Sequence, residues 1–91
     1  MNYTHFAANS AGANIAKRGV KLHAVNINTK GATANLLTLY DNAAGDASGT
    51  VIAAIDTTAG PAYAIYDCDT LFGLSYVLAA GTAADITISW E

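Results

Sequence analysis

Basic side chains are scarce in this chain. Its 91 residues include four Lys and Arg against seven Asp and Glu, a formal net charge of −3. Proteins that bind nucleic-acid phosphates do so with clustered cations, so neither DNA nor RNA is expected as a partner. Cys68 is the single cysteine, which leaves no intrachain disulfide and agrees with folding in a reducing compartment. No apolar run approaches the roughly 18 residues of a membrane-spanning helix. The opening MNYTHFAANSAG has neither a basic leader nor an apolar signal core. Synthesis in a cytoplasm with no membrane partner is therefore expected. G-x-S-x-G, C-x-x-C and H-E-x-x-H are all missing, so no catalytic residue, metal ligand or cofactor is assigned and a noncatalytic role is expected.

What the chain does contain is apolar but small. Hydrophobic residues make up 53% of it and charged residues 12%, a balance that favours an ordered chain. Yet 20 of the apolar residues are Ala and 18 are Val, Ile or Leu. Each fully buried aliphatic contributes about 1.5 to 3 kcal/mol, against about 1 to 2 kcal/mol of backbone entropy per ordered residue. A domain this short with so few large side chains is marginal alone, and self-association is expected.

From Gly19 onward, Gly, Asn, Asp or Pro clusters recur at the spacing of an all-β sandwich or barrel. Candidate strands run over residues 20–28, 34–40, 50–55, 62–67, 71–78 and 84–90, with a seventh from 2–6 or 13–17. The fold expected is one antiparallel β-sandwich, jelly-roll or immunoglobulin-like, of about seven strands. Residues 1–19 are read as an extended N-terminal arm or edge strand and residues 20–91 as the sandwich domain. In the last strand Ile86, Ile88 and Trp90 alternate with Asp85, Thr87 and Ser89, one face on a core and one in water. Leu22 falls out of phase with Val25 and Ile27, which calls for a bulge near His23 or Ala24 or for burial on both faces. Leu37 and Leu39 oppose Leu36 and Tyr40, as in a strand covered on both sides. Asn28-Thr29-Lys30-Gly31 offers Asn and Gly for positive φ, Gly60-Pro61 sets a sharp re-entry, and Ala80-Gly81-Thr82 closes a final hairpin.

Asp41, Asn42, Asp46 and Ser48 lie between two apolar stretches and carry the oxygen donors that a hard cation prefers. An EF-hand beginning at Asp41 would put Ile52 where its closing Glu belongs, so that motif fails. Turn chemistry is the expectation: Asp and Asn close Asx turns, while Gly45 and Gly49 take conformations other residues resist. Two neighbouring carboxylates, Asp67 and Asp69, make Cys68 a poor nucleophile. His23 on a strand reads as packed or half-exposed. Lys17, Arg18 and Lys21 read as a solvated strand edge or as a contact for an acidic partner surface. Tyr63 and Tyr66 point to opposite faces of a regular strand, so a flat sugar-stacking platform is less expected than core or interface packing. Candidate partner contacts are thus Lys17, Arg18, Lys21, Gly45, Asp46, Tyr63 and Tyr66.

The order of segments carries a further signal. KLHAVNINTKGATANLLTLYDNAAGDASGTVIAAIDTT followed by GTAADITISW resembles a family of small phage and prophage β-sandwich virion proteins with a similar NTKGA, LYDN, SGT, IDTT and GTAADIT progression. The resemblance covers roughly residues 15 to 91, by pattern rather than by alignment. It implies a virion structural protein, in particular a capsid decoration or cement protein that binds the major capsid protein and stabilises the head. It brings no catalytic residues. AAGDAS is longer than the usual loop and YDCDTLFGLSYVL replaces a segment of small residues, which makes both places candidate contact surfaces. A homotrimer suits quasi-threefold capsid positions. A tail or fibre module binding host carbohydrate is the alternative.

Overall fold

A computed structural model describes residues 1–59 and 62–91. Eight strands follow one another: β1 (Asn2–Phe6), β2 (Ser10–Ala16), β3 (Lys21–Thr29), β4 (Leu36–Asp41), β5 (Thr50–Asp56), β6 (Ala62–Asp69), β7 (Leu74–Ala79) and β8 (Asp85–Trp90), with a 3-10 turn at Thr57–Ala59. They make two antiparallel four-stranded sheets, in the orders β1-β8-β3-β6 (sheet one) and β2-β7-β4-β5 (sheet two). The sheets pack face to face on one core. No helix among the described residues is long and apolar enough to cross a membrane.

The expectation of about seven strands and an extended N-terminal arm is corrected. Residues 2–6 and 10–16 both pair, β1 with β8 and β2 with β7, each as an edge strand of a different sheet. Ser10–Ala16 has no alternating pattern to announce a strand. Its β structure comes from context: the edge of β7 supplies hydrogen bonds, while Ala13, Ile15 and Ala16 pack against the core.

Antiparallel register sets the faces. Phe6, Ile86 and Ile27 lie in one inward row of sheet one, with Val25 and Ile88 in the next. Leu37, Leu39, Leu74 and Leu78 face them from sheet two, all fully buried. Phe6 stacks on Tyr76 across the two sheets, ring centroids 3.9 Å apart. The bulge expected at His23 is present: register shifts between Leu22 and Ala24 against both β6 and β8, so that Leu22 and Val25 reach the same core.

Only β4 and β5 are joined within one sheet; every other connection crosses between sheets. Ala80-Gly81-Thr82 therefore closes no hairpin but carries the chain from β7 to β8, with Ala80 and Gly81 at φ 69° and 57°. In the β3–β4 crossover the positive φ values fall on Thr33 and Ala34, not on Asn28 or Gly31. Gly31 is required for space: a Cβ there would stand 2.6 Å from both Asn35 Oδ1 and Thr57 Oγ1. The Gly60-Pro61 re-entry lies outside the described residues.

Asn35 holds the crossovers together. Fully buried, its Nδ2 donates to Ala80 O (2.8 Å), Ala79 O (3.3 Å) and Asn9 Oδ1 (2.9 Å), and its Oδ1 accepts from Thr57 Oγ1 (2.6 Å) and Ala84 N (3.1 Å). One amide thus ties together the chain before β2, after β5 and between β7 and β8.

Candidate interaction surfaces

The loop from Asn42 to Gly49 folds back on its own sheet. Asn42 Oδ1 accepts from the N–H groups of Ala44 and Gly45, and its Nδ2 donates to the carbonyls of Asp46 and Ser48. Asp46 accepts from the Ser48 N–H and hydroxyl. Gly45 and Gly49 adopt φ of 73° and 85°, as turn chemistry requires. The loop crosses β7 to reach β2. Ser75 Oγ donates to Asn42 O, and a Cβ on Gly12 would stand 2.6 Å from Gly45 O. Gly45 thus lies against β2 of its own chain, while Asp46 stays exposed. Among the described residues no three His, Cys, Asp or Glu side chains converge as a metal site.

Asp41 does something the sequence pattern did not suggest. Instead of shaping the loop beside it, its carboxylate reaches the β6–β7 connection and accepts from three successive N–H groups, Leu71 (2.9 Å), Phe72 (2.9 Å) and Gly73 (3.4 Å). Partial burial pushes the carboxyl pKa up, but the three hydrogen bonds together outweigh it and hold the group below the ordinary carboxylate range. Nothing in a one-dimensional pattern links residue 41 to residues 71–73.

Lys17, Arg18 and Lys21 lie at the same end of the sandwich. Lys17 and Arg18 are exposed beyond β2, with the Arg18 guanidinium 5.9 Å from the Trp90 ring centre. Lys21 opens β3 opposite Asp69, and its backbone exchanges hydrogen bonds with Glu91. Gly19, Val20, Lys21, Asp69, Thr70 and Glu91 line a shallow depression of about 340 Å³. It holds charges of both signs and no enclosed apolar interior.

On the outer face of sheet one, two histidines each meet an aspartate across strands. His5 Nε2 is 2.7 Å from Asp85 Oδ1, and His23 Nδ1 is 2.5 Å from Asp67 Oδ1. Asp85 also accepts from Asn28 Nδ2 at 2.9 Å; that bond first, and His5 second, hold its pKa below the ordinary range. Both pairs are partly exposed, so each is a modest cross-strand tie. Tyr63 stands on this face, 61% exposed, in one row with Asn26, Thr87 and His5. Tyr66 turns the other way and packs against the core, where burial first and Cys68 second push its pKa up. Cys68 is itself half-buried against that core.

Protein-family models, curated proteins and solved structures give no match to the chain.

The outer face of sheet two is different in kind. Register places Leu36, Ala79 and Asp56 in one row, Thr38, Val77 and Ala54 in the next, and Tyr40, Val51 and Ser75 in a third. Asp56 is the one charge in these three rows, and its carboxylate is occupied by the hydroxyl and N–H of Thr58. Leu36 and Val51 are about half exposed, at 43% and 52%. Strand β4 is thus buried on its Leu37 and Leu39 side, while on the other side the chain itself leaves Thr38 and Tyr40 half-buried and Leu36 exposed.

Proposed function

We propose that this protein is a noncatalytic structural component of a bacteriophage virion, a capsid decoration protein that sits as a homotrimer on the lattice of the major capsid protein. The observation that carries the reading is the outer face of sheet two. Three rows of cross-strand neighbours offer Leu36, Tyr40, Val51, Ala54, Val77 and Ala79 with a single carboxylate among them, the composition of a face that another protein covers.

The strand order agrees with it. Pairing of the first strand with the eighth, the second with the seventh, the third with the sixth and the fourth with the fifth is the eight-stranded jelly roll, favoured here over the immunoglobulin-like alternative. Viral capsid domains use that architecture, as do lectins and cupins, so fold alone does not select the role. What favours the virion role among them is the resemblance in segment order over roughly residues 15–91, a likeness of pattern.

Light scattering on the purified protein should give a trimer, and the protein should rebind capsids from which it has been stripped. A monomer that ignores such capsids sinks the proposal. One observation favours a second reading, a tail-associated module for host carbohydrate: the exposed Tyr63 ring ends a row of amide, hydroxyl and imidazole groups at Asn26, Thr87 and His5, the mix that sugars engage. Imaging of intact virions separates the two, since decoration covers the whole shell and a fibre module only the tail.

A further inference from the structure

Leu71 and Phe72, at 77% and 66% exposure, are the most exposed large apolar side chains apart from Met1 and Tyr3. Single exposed apolar residues are ordinary; these two are adjacent and held in place from both sides. Asp41 accepts hydrogen bonds from Leu71, Phe72 and Gly73. Thr70, buried just before them, donates its hydroxyl to Val20 O and accepts from Val20 N. Gly73, just after, is wedged so tightly that a Cβ would stand 2.5 Å from Asn42 O and 2.6 Å from Ala16 O. The backbone of this connection is thereby fixed with its two large side chains pointing outward, although inward packing would remove them from water.

Two exposed cations stand beside the tip. Gly19 packs its α-carbon against the Thr70 and Leu71 carbonyls, where a Cβ would come within 2.9 and 3.1 Å. The two residues before Gly19 are the exposed Lys17 and Arg18. Neither forms an ion pair with a carboxylate among the described residues. Of the nearby acids, Asp41 has its carboxylate occupied by the loop, and Asp69 and Glu91 share the neighbouring depression with Lys21.

We propose that the Leu71–Phe72 tip is a preorganised anchor that inserts into an apolar pocket on a partner protein, with carboxylates on the pocket rim facing Lys17 and Arg18. Preorganisation is the reason to fix the loop, because a side chain already held in its bound position loses less freedom on docking. The cations select an acidic rim by charge complementarity. The partner is the capsid shell protein, and in that the proposal rests on the function proposed above.

The test uses the full chain and capsids stripped of it. The double variant Leu71→Ser, Phe72→Ser should keep the melting temperature and oligomeric state of the parent, because the replaced side chains are exposed. Its affinity for stripped capsids should fall at least ~100-fold, the scale expected for losing two buried apolar anchors. Lys17→Glu with Arg18→Glu should weaken binding further at low salt than at high salt. If the parent binds and the serine variant binds equally well, the anchor is refuted and the decoration reading stands. If the parent does not bind the capsids, both fall. Loss of self-association in the serine variant, or tip-dependent binding of the parent to vesicles of anionic phospholipid, also overturns the proposal by showing a different occupant.

Discussion

Replacing Asn35 should destabilise the protein more than any other single polar substitution. In Asn35→Ala the Ala84 N–H loses its acceptor in a fully buried site, at a cost of about 1 to 3 kcal/mol. The Ala80 carbonyl and Asn9 lose a donor, adding about 0.5 to 1.5 kcal/mol each. Thr57 Oγ1 keeps a second acceptor in the Asn35 carbonyl and contributes little. The sum is about 2 to 6 kcal/mol, a large part of the 5 to 15 kcal/mol of a typical domain, and corresponds to a melting-temperature drop of at least ~8 °C. Asn35→Asp separates hydrogen bonding from volume. It keeps the shape but turns an oxygen toward the Ala79 and Ala80 carbonyls, so burial and carbonyl repulsion raise the folded-state pKa of the new carboxyl. Its deficit should be largest at neutral pH, shrink as pH falls toward the unfolded value of about 3.9, and level off below it, where the carboxyl is protonated in both states. Thermal unfolding followed by circular dichroism at both pH values reads this directly. An Asn35→Asp protein as stable as the parent at pH 7 would refute the bridging role.

Ile86→Ala, at a fully buried position of β8, should lose about 2 to 5 kcal/mol in urea unfolding; a loss below 1 kcal/mol would mean that the sheets do not pack as described. Gly73→Ala should cost about 1 to 3 kcal/mol through overpacking against the Asn42 and Ala16 carbonyls, and a neutral result would show the tip to be loosely held. Asp41, Asp56 and Asp85 all have folded pKa values below their ordinary ones. Their contribution to stability is therefore fully present above the unfolded carboxylate value, about 3.9, and lost as pH falls through the folded values. A denaturant midpoint unchanged between about pH 5 and pH 2 would contradict that sign.

Where a strand keeps one wet face and one dry face, the sequence announces it. Residues 84–90 do so plainly, and the broken phase at Leu22, Val25 and Ile27 located the His23 bulge because only one core was available to receive all three. Residues 10–16 were legible only in part, as a candidate strand over 13–17, for the opposite reason: SAGANIA carries too little apolar contrast to show a period, and its partner β7 decides its conformation. What covers Leu36 and Tyr40 was not legible, because an apolar residue on the outer face of a sheet looks the same in sequence as one buried by a second layer. Of the surface, Lys17 and Arg18 were visible as a charge cluster. The clamp by Asp41 and the Asn35 bridge were not, since both depend on crossovers that bring together residues some 30 to 50 positions apart and leave no local signature.

The strand order also has a consequence in time. β8 lies between β1 and β3, with Asn2 opposite Trp90 and Leu22 opposite the same residue. As the chain leaves the ribosome, β1 has no partner until the last of the eight strands emerges, and sheet one cannot close before then. Pairings of such long sequence separation form slowly, on the millisecond-to-second scale. Until sheet one closes, the apolar face of sheet two has no finished body behind it. The sandwich is therefore finished only when its last strand is in place.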